Sequence, residues 1–274
     1  MEKSRISTGV WLFLAALVFG FCLVVASIIQ VSPQYLFVIK TVTSSSRLPA
    51  TEQAYLPAVT DGLIAYYPFN GNANDESGHG HHGVARGAAL AADRFGKQNS
   101  AYRFDGTDDY IEVPDDDELD LTPNLTIAAW ILQKNIGSGG YRIVDKETAG
   151  ICDGYHLDTF GLETAHRLRT CTGGRCVSAN TDYALNEWHH VVLVVSGTTA
   201  TFYLDGRQDG GGDIGGPAQM NTLSLFIGRA HLTPDGLGGN REFFDGIIDD
   251  VSLYNRALTE AEVERLYKVG KAGY

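Results

Sequence analysis

The sequence has little positive charge. Its 274 residues contain 21 Lys and Arg against 33 Asp and Glu, which gives a formal net charge of −12. Such a surface repels phosphate backbones and anionic headgroups, so the charge argues against nucleic acid as a partner and against adsorption to an anionic lipid surface. Divalent cations and neutral, hydrogen-bonding ligands remain compatible with it.

Several familiar motifs are also missing. There is no Gly-x-Ser-x-Gly elbow for a serine nucleophile, no nucleotide-binding loop, no heptad array and no short-period repeat.

Cysteine is scarce. Cys22 lies in an apolar run and is interpreted as a small buried residue. Cys152, Cys171 and Cys176 lie close together, which allows one disulfide and one free thiol. Pairing of Cys152 with Cys171 and pairing of Cys171 with Cys176 both remain open. Either disulfide predicts an oxidising compartment, and no histidine stands at the spacing of a Cys-His zinc site.

Charged residues are absent from Ile6 to Ile39. Within this stretch, Gly9–Val31 is apolar almost throughout and would form a helix of about 34 Å, which is enough to cross a hydrocarbon core of about 30 Å. The alternative is a cleaved signal peptide with its site at Val24-Val25-Ala26, but the apolar run exceeds the usual signal-peptide core of about 7–15 residues. The sequence therefore favours a single transmembrane helix.

Lys3 and Arg5 precede this helix and few positive charges follow it closely. The positive-inside rule then puts residues 1–8 in the cytoplasm and the remainder in the periplasm or outside the cell. Residues 32–60 read as a linker. Residues 61–274 are predicted to form the globular domain.

What the domain does contain is a series of short strand signals. Glycine occurs 32 times, tyrosine 13 times and phenylalanine 12 times, as expected for strands joined by tight turns. Two distant segments, Phe104–Pro114 and Phe244–Glu262, each carry Phe-Asp-Gly and a pair of adjacent aspartates in an alternating pattern. Only one helix is predicted, opening with a capping box at Thr259–Glu262. The fold class is therefore an all-β, two-sheet antiparallel sandwich.

Five landmarks in order resemble the laminin-G-like, concanavalin A-like jelly-roll family, and its bacterial branch in particular. The resemblance covers about residues 61–268. It rests on LIAYYPFNGNANDESGHGHHG, AYRFDGTDDYIEVP, LTIAAWI, NEWHHVVLVVSGTTATFYLDG and FDGIIDDVSLYNRALTEAEV. Since such sandwiches include lectins, hydrolases and adhesion modules, the fold alone does not decide the function.

The resemblance implies a structural calcium ion. The first and last strands of such a sandwich lie in one sheet, which would bring the loop after the first strand close to the acidic ends of the neighbouring strands. Calcium takes six to eight oxygen ligands. We expect them from Asn72 and Asp75 in the loop after the first strand, and from Asp105 and Asp250 at neighbouring strand ends. Asp249 and Asp250 are adjacent, so both can ligate only if a bulge intervenes.

Other polar stretches are interpreted as ordinary surface. His79, His81 and His82 are read as loop residues, because no convincing further ligand accompanies them and adjacent histidines ligate jointly only with difficulty. The acidic run Asp115–Glu118 is read as a solvated loop.

Relatives with glucanase activity carry acids at alternate positions of one strand, in a Glu-x-Asp-x-x-Glu manner. The sequence shows no such strand, so we predict that the protein is not an enzyme. A glycan-binding face is predicted instead, on the assumption that the central hairpins pair. Its residues are Tyr141, Tyr155, His156 and Arg169.

Two functions compete. The first is a membrane-anchored, calcium-stabilised recognition module that binds glycan or protein outside the cell. The second is a structural subunit of a larger membrane complex, for example respiratory or photosynthetic, with the helix packed in the complex and the sandwich bracing its periplasmic face. Gly9, Ala15, Ala16 and Gly20 would allow close helix contacts.

Overall fold

A computed structural model describes residues 57–135, 139–148, 150–162, 165–231 and 242–273. The predicted membrane segment, Gly9–Val31, and nearly all of the linker lie outside these residues. Among the residues that are described, no helix is long and apolar enough to cross a membrane.

Fifteen strands form the framework of the described chain. They are β1 (Leu63–Tyr67), β2 (Val84–Arg86), β3 (Ala89–Ala91), β4 (Ala101–Asp105), β5 (Tyr110–Val113), β6 (Asn124–Gln133), β7 (Gly139–Lys146), β8 (Tyr155–Leu162), β9 (Ala165–Thr172), β10 (Arg175–Ser178), β11 (Trp188–Ser196), β12 (Thr199–Leu204), β13 (Arg207–Asp213), β14 (Leu225–Ile227) and β15 (Asp245–Tyr254). Helix α1 (Glu260–Ala272) and a 3-10 helix (Asp117–Leu119) accompany them.

The strands form two antiparallel sheets, which confirms the predicted all-β sandwich. The eight-stranded sheet has the order β13-β12-β11-β6-β15-β4-β3, and β1 pairs with the free half of β15 beside β4. The seven-stranded sheet has the order β10-β9-β8-β7-β14-β5-β2. The expected pairing of first and last strands is thus confirmed. Pro57, at the start of the described domain, and Gly270, near its end, line one small crevice.

The two Phe-Asp-Gly segments lie side by side. Asp105 is opposite Asp245 and Phe104 is opposite Gly246 in the β4–β15 ladder. The rings of Phe104 and Phe244 meet edge to face, with their centroids 6.3 Å apart. The sequence repeat therefore marks a pair of neighbouring strands in the finished sheet.

The main core lies between the two sheets. It is built from alternate apolar residues of the facing strands, among them Phe104, Ile111, Ile127, Leu193 and Phe202, all fully buried. Full burial of one such side chain contributes roughly 1.5–3 kcal/mol.

A second apolar cluster covers the outer face of the eight-stranded sheet, where α1 packs on it. Val263 and Leu266 of the helix contact a layer that includes Tyr66 and Val192. Strand β11 is therefore buried on both faces, as the nearly continuous apolar run WHHVVLVV predicts.

The predicted capping box is confirmed at the start of α1. The Thr259 hydroxyl accepts from the Glu262 N–H, and the Glu262 carboxylate accepts from the Thr259 N–H at 2.8 Å. Together they satisfy two backbone donors that a helix start would otherwise leave unpaired.

Candidate functional site

Arg94 joins three elements on the outer face of the eight-stranded sheet. Its Nη1 donates to Asp249 Oδ2 and its Nη2 to Asp250 Oδ2, both at 2.7 Å. Its Nε donates to the Gly270 carbonyl at 2.7 Å, near the end of α1. The guanidinium carbon lies 4.5 Å from the centroid of the Trp130 ring. One buried cation therefore ties the β3–β4 loop to the last strand and the helix.

A β-bulge allows both aspartates to reach Arg94. In a regular strand, neighbouring residues point to opposite faces. The β15–β6 register shifts between Asp249 and Ser252, and Asp250 has a φ of 47°. Burial, followed by the nearby Asp250 carboxylate, raises the pKa of Asp249 well above its usual range. The Tyr66 hydroxyl also donates to Asp250, at 2.7 Å.

The close approach of α1 to this site depends on glycine at position 270. A Cβ there would lie 2.6 Å from Trp130 Nε1, which is too close for any side chain. The absence of that atom lets the helix end reach both the indole ring and Arg94.

A cavity of about 330 Å³ opens beside Arg94, and we call it the Arg94 pocket. One wall is formed by Phe95, which is half-exposed and whose ring centroid lies 4.7 Å from the Arg94 guanidinium. Lys97 Nζ donates to Asn70 Oδ1 at 2.7 Å across the rim. The remaining lining is contributed by Tyr66, Pro68, Asp93, Ser100, Asp249, Asp250 and Gly273.

The loop that carries Phe95 is a tight turn fixed by Asp93. Its Oδ1 accepts from the N–H groups of Phe95 and Lys97, both at 2.8 Å. Gly96, with a φ of 81°, takes the left-handed position of the turn. The turn therefore presents Phe95 and Lys97 side by side at the mouth of the pocket.

Of the predicted calcium ligands, Asp75 is engaged by donors on both of its oxygens. Oδ1 accepts from the N–H groups of Tyr66 and Ser77, at 2.9 and 2.8 Å. Oδ2 accepts from the Ser77 hydroxyl and from the N–H groups of Gly80 and His81, at 2.8 to 3.1 Å. Burial alone would raise the pKa of Asp75, but these hydrogen bonds outweigh it and lower the pKa. Asp75 thus organises its own loop.

The structure does not bring the four predicted calcium ligands together. The Asn72 side chain accepts from the Asn74 N–H, and Asp105 accepts from the N–H groups of Thr107 and Asp108. Asp250 lies five positions beyond the partner of Asp105 along β15, a separation of about 16 Å at roughly 3.3 Å per residue. Arg94 supplies the positive charge beside Asp250. Calcium binding stays a prediction.

The predicted glycan face is divided between the two sides of the seven-stranded sheet. Tyr155 points into the core, where its hydroxyl donates to the Leu119 carbonyl at 2.8 Å. Tyr141 packs against the same core. His156 and Arg169 lie on the opposite face, as strand alternation requires for the neighbours Tyr155 and His156. The expectation of one shared face is therefore corrected.

That opposite face holds a buried ionic cluster. Arg142 lies 3.1 Å from Asp145, 3.0 Å from Glu147 and 3.3 Å from Asp158. Asp145 and Glu147 stand at alternate positions. The sequence does not reveal them as a pair of acids on one strand, because Glu147 follows the last residue of β7. Both carboxylates are almost completely buried.

His156 belongs to this cluster. Its Nε2 accepts from the Cys171 N–H at 3.1 Å, and its Nδ1 lies 2.8 Å from Glu147 Oε1 but forms no hydrogen bond. The backbone donor therefore holds the ring beside the carboxylate.

The structure resolves the cysteine alternatives in favour of a Cys171–Cys176 disulfide. The two residues face each other across the β9–β10 hairpin. Cys152 is a free thiol, and the three sulfur atoms lie within 4.8 Å of one another. Burial raises the pKa of the Cys152 thiol.

The sequence does not identify Arg94 as a site residue, because no local motif in the segment AADRFGKQ distinguishes this arginine from a surface residue. The available signal was indirect, since two adjacent aspartates inside an otherwise apolar strand need a buried cation as partner.

Comparison with known proteins places this geometry in a family. A family model described as the concanavalin A-like lectin/glucanases superfamily (Laminin_G_3) matches residues 105–264, more than half of the chain. The chain belongs to this superfamily.

One curated relative is the adhesion G-protein coupled receptor V1 of Danio rerio, 28% identical over 152 residues. The match covers 54% of this chain and only 2% of the receptor.

Solved structures share the fold. Domain 4 of AbnA, a GH43 extracellular arabinanase from Geobacillus stearothermophilus, in complex with arabinotriose, aligns with a TM-score of 0.58 at 18% identity. The alignment covers 75% of this chain and 98% of that one. The receptor-binding domain of the botulinum neurotoxin C/D mosaic serotype aligns with a TM-score of 0.56 at 14% identity, covering 77% of this chain and 52% of that one.

Proposed function

We propose that the protein is a non-catalytic recognition module that binds a glycan in the Arg94 pocket. The observation that carries this proposal is the pocket itself, where the half-exposed Phe95 ring lies beside the polar groups of Lys97, Asn70 and Asp93. An apolar face flanked by a few converging donors and acceptors is the usual composition of a small-ligand site.

The chemistry of the lining favours a neutral, hydroxyl-rich ligand. Arg94 already binds two carboxylates and a carbonyl, so it has little capacity left for an acidic group. Lys97 and Asp93 at the rim offer one donor group and one acceptor group, which suits vicinal hydroxyls. The complex of one fold neighbour with arabinotriose, a neutral oligosaccharide, supports the same class of ligand.

The state of the carboxylates supports a binding role without catalysis. A retaining glycosidase needs two carboxyl groups about 5–5.5 Å apart that both reach the substrate. Asp249 and Asp250 are both held by Arg94, and Asp145 and Glu147 are buried around Arg142. In each place the acids neutralise an arginine.

We also propose that the module belongs to the bacterial branch of the family and is anchored by Gly9–Val31, with the sandwich outside the cytoplasm. The Cys171–Cys176 disulfide supports this location, because disulfides persist mainly in oxidising compartments. The uncharged stretch Ile6–Ile39 supports the anchor.

Glycan-array screening of the detergent-solubilised full-length chain tests the binding proposal, followed by calorimetry on the best ligand. We expect saturable binding that Phe95→Ala weakens about tenfold, equivalent to about 1.4 kcal/mol, because the stacking face is lost. Leu90→Ala is the matched control, since Leu90 is also exposed on β3 but does not line the pocket.

Two outcomes would contradict the proposal. Glycan binding that survives Phe95→Ala unchanged would place the site elsewhere on the sandwich. No saturable glycan binding, together with co-migration in a stoichiometric membrane complex, would favour the structural-subunit alternative.

A further inference from the structure

Two histidines and a glutamate outside the Arg94 pocket converge at one point of the surface. His79 Nδ1 lies 2.8 Å from Glu118 Oε2, and His81 Nε2 lies 3.3 Å from the same oxygen. The two imidazole rings are nearly parallel, with centroids 6.0 Å apart and an interplanar angle of 12°. All three potential ligand atoms lie within 4.8 Å of one another.

The loop that carries the histidines is held from both sides. The Asp75 carboxylate accepts from the N–H groups of Gly80 and His81, and the Tyr67 hydroxyl donates to the His81 carbonyl at 2.7 Å. Both polar groups of the His81 backbone are therefore fixed before any ligand arrives.

Glu118 is positioned independently, 39 residues further along the chain. It lies in the 3-10 helix, where its N–H donates to the Asp116 side chain at 2.9 Å. The next residue, Leu119, is fully buried, and its carbonyl accepts from Tyr155. The carboxylate thus approaches the histidine loop from a rigid support.

The His81 ring has an unexplained feature. Its side chain is only 5% exposed, yet its Nε2 has no hydrogen-bond partner, although it faces Glu118. A buried polar atom without a partner costs about 1–3 kcal/mol. A ligand that takes up the Nε2 lone pair would remove that cost.

We propose that His79, His81 and Glu118 form a binding site for a divalent transition metal ion of the zinc class. Such ions combine imidazole nitrogen and carboxylate oxygen at about 2.0–2.2 Å, which sets tetrahedral ligands about 3.3 Å apart. The His81–Glu118 distance already has this value, and the hydrogen-bonded His79–Glu118 pair has to open slightly. Three protein ligands leave the remaining positions to water.

The site discriminates against calcium and does not use the third histidine. Calcium needs six to eight oxygens, whereas two of the three ligand atoms here are nitrogens. His82 points its Nδ1 at the Asp75 N–H, from which it accepts at 3.1 Å. The exposed acids Asp116 and Asp117 add negative potential beside the site.

Metal titration of the full-length, detergent-solubilised chain tests this proposal after treatment with EDTA and removal of the chelator. A Cys22→Ala, Cys152→Ser background removes both cysteines outside the disulfide, and Co²⁺ serves as a spectroscopic probe in parallel with Zn²⁺ calorimetry. We expect one ion per chain, a visible Co²⁺ band without thiolate charge transfer, a higher melting temperature with Zn²⁺, and no such response to Ca²⁺.

Single substitutions test which side chains bind the metal ion. Glu118→Gln and His79→Asn are expected to weaken Zn²⁺ binding by about tenfold or more, and both residues are exposed enough for the fold to tolerate the change. His82→Asn is the matched control, since asparagine can still accept from Asp75, and its affinity should stay within about twofold. Absence of stoichiometric Zn²⁺ binding, or unchanged binding in Glu118→Gln and His79→Asn, would overturn the site.

Discussion

At the residue scale, the described domain contains two buried ionic clusters, one around Arg94 and one around Arg142. In the Arg94 cluster, one guanidinium donates to two carboxylates and also to a carbonyl group near the end of α1. Removing one partner of a buried pair is costly mainly because the other charge stays behind without compensation. Arg94 should therefore stabilise the fold as well as shape the pocket.

We predict that Arg94→Gln lowers the free energy of unfolding by about 3–5 kcal/mol at neutral pH. The loss should become smaller as the pH falls, because protonation of Asp249, whose pKa burial and the nearby Asp250 carboxylate raise, removes the repulsion between the two side chains. Urea denaturation at several pH values measures both effects. The exposed Arg86–Glu112 pair gives the control, since Arg86→Gln should cost only about 0–1 kcal/mol. Equal losses in the two variants would contradict a stabilising role for Arg94.

The same scale shows where sequence reasoning stops. The sequence identifies Asp75 as a polar loop residue, but its role as an acceptor for backbone N–H groups depends on how the loop closes. The sequence also shows His79 and His81 as a motif, whereas their partner Glu118 lies in an acidic run that is typical of a solvated loop. A contact between residues 39 positions apart follows from strand packing, and local spacing does not encode it.

At the element scale, the capping box of α1 was predictable because its signal is local. Thr259 and Glu262 satisfy each other's backbone groups three residues apart. Arg256 adds to the motif, with Nη2 donating to Glu262 Oε1 at 2.7 Å. This hydrogen bond is the largest cause that lowers the pKa of Glu262 to about 2.

We predict that Glu262→Gln destabilises the domain by about 1 kcal/mol at pH 7, because the charge that pairs with Arg256 and with the positive end of the helix dipole is lost. The folded pKa lies below the ordinary glutamate value, so the stabilisation is complete above about pH 4.3 and is lost as the pH falls towards 2. Denaturation at pH 7 and pH 3 should show the difference shrinking. Glu264→Gln is the control, because Glu264 has only an exposed i,i+4 contact with Lys268. A pH-independent difference would contradict this account.

Strands can be predicted from the sequence where their side chains form a continuous or alternating apolar pattern, and not where that pattern is absent. β11 was evident as a doubly buried strand because its apolar run is continuous. β13, with the sequence RQDGGGD, has no apolar alternation at all, and it is a strand only because β12 offers it a hydrogen-bonding edge. The bulge at Asp250 is likewise not predictable from the sequence, since no residue type in the segment demands it.

At the scale of the whole molecule, the proposed anchor decides where the sandwich operates. Gly9–Val31 carries no charge and is long enough to span a bilayer. A charged residue at the centre of such a helix costs about 2.5–3.5 kcal/mol for insertion. This magnitude makes the anchor testable by substitution in the intact chain.

We predict that the full-length chain stays in the membrane fraction until detergent is added, and that the double variant Leu17→Asp, Phe21→Asp does not. The matched double alanine variant should behave like the wild type, because alanine is tolerated in a membrane helix. Fractionation with immunodetection measures the distribution. A wild-type chain recovered without detergent and shortened near Ala26 would show that the segment is a cleaved signal peptide.

The pairing of β1 with β15 has a consequence for how the chain can be connected. Since Pro57 and Gly270 line the same crevice, the backbone enters and leaves the sandwich at nearly one place. A short peptide should therefore be able to close the described domain into a ring. Because Gly273 lines the Arg94 pocket, whatever the chain joins at that end stands next to the pocket, whereas the histidine loop lies away from the junction.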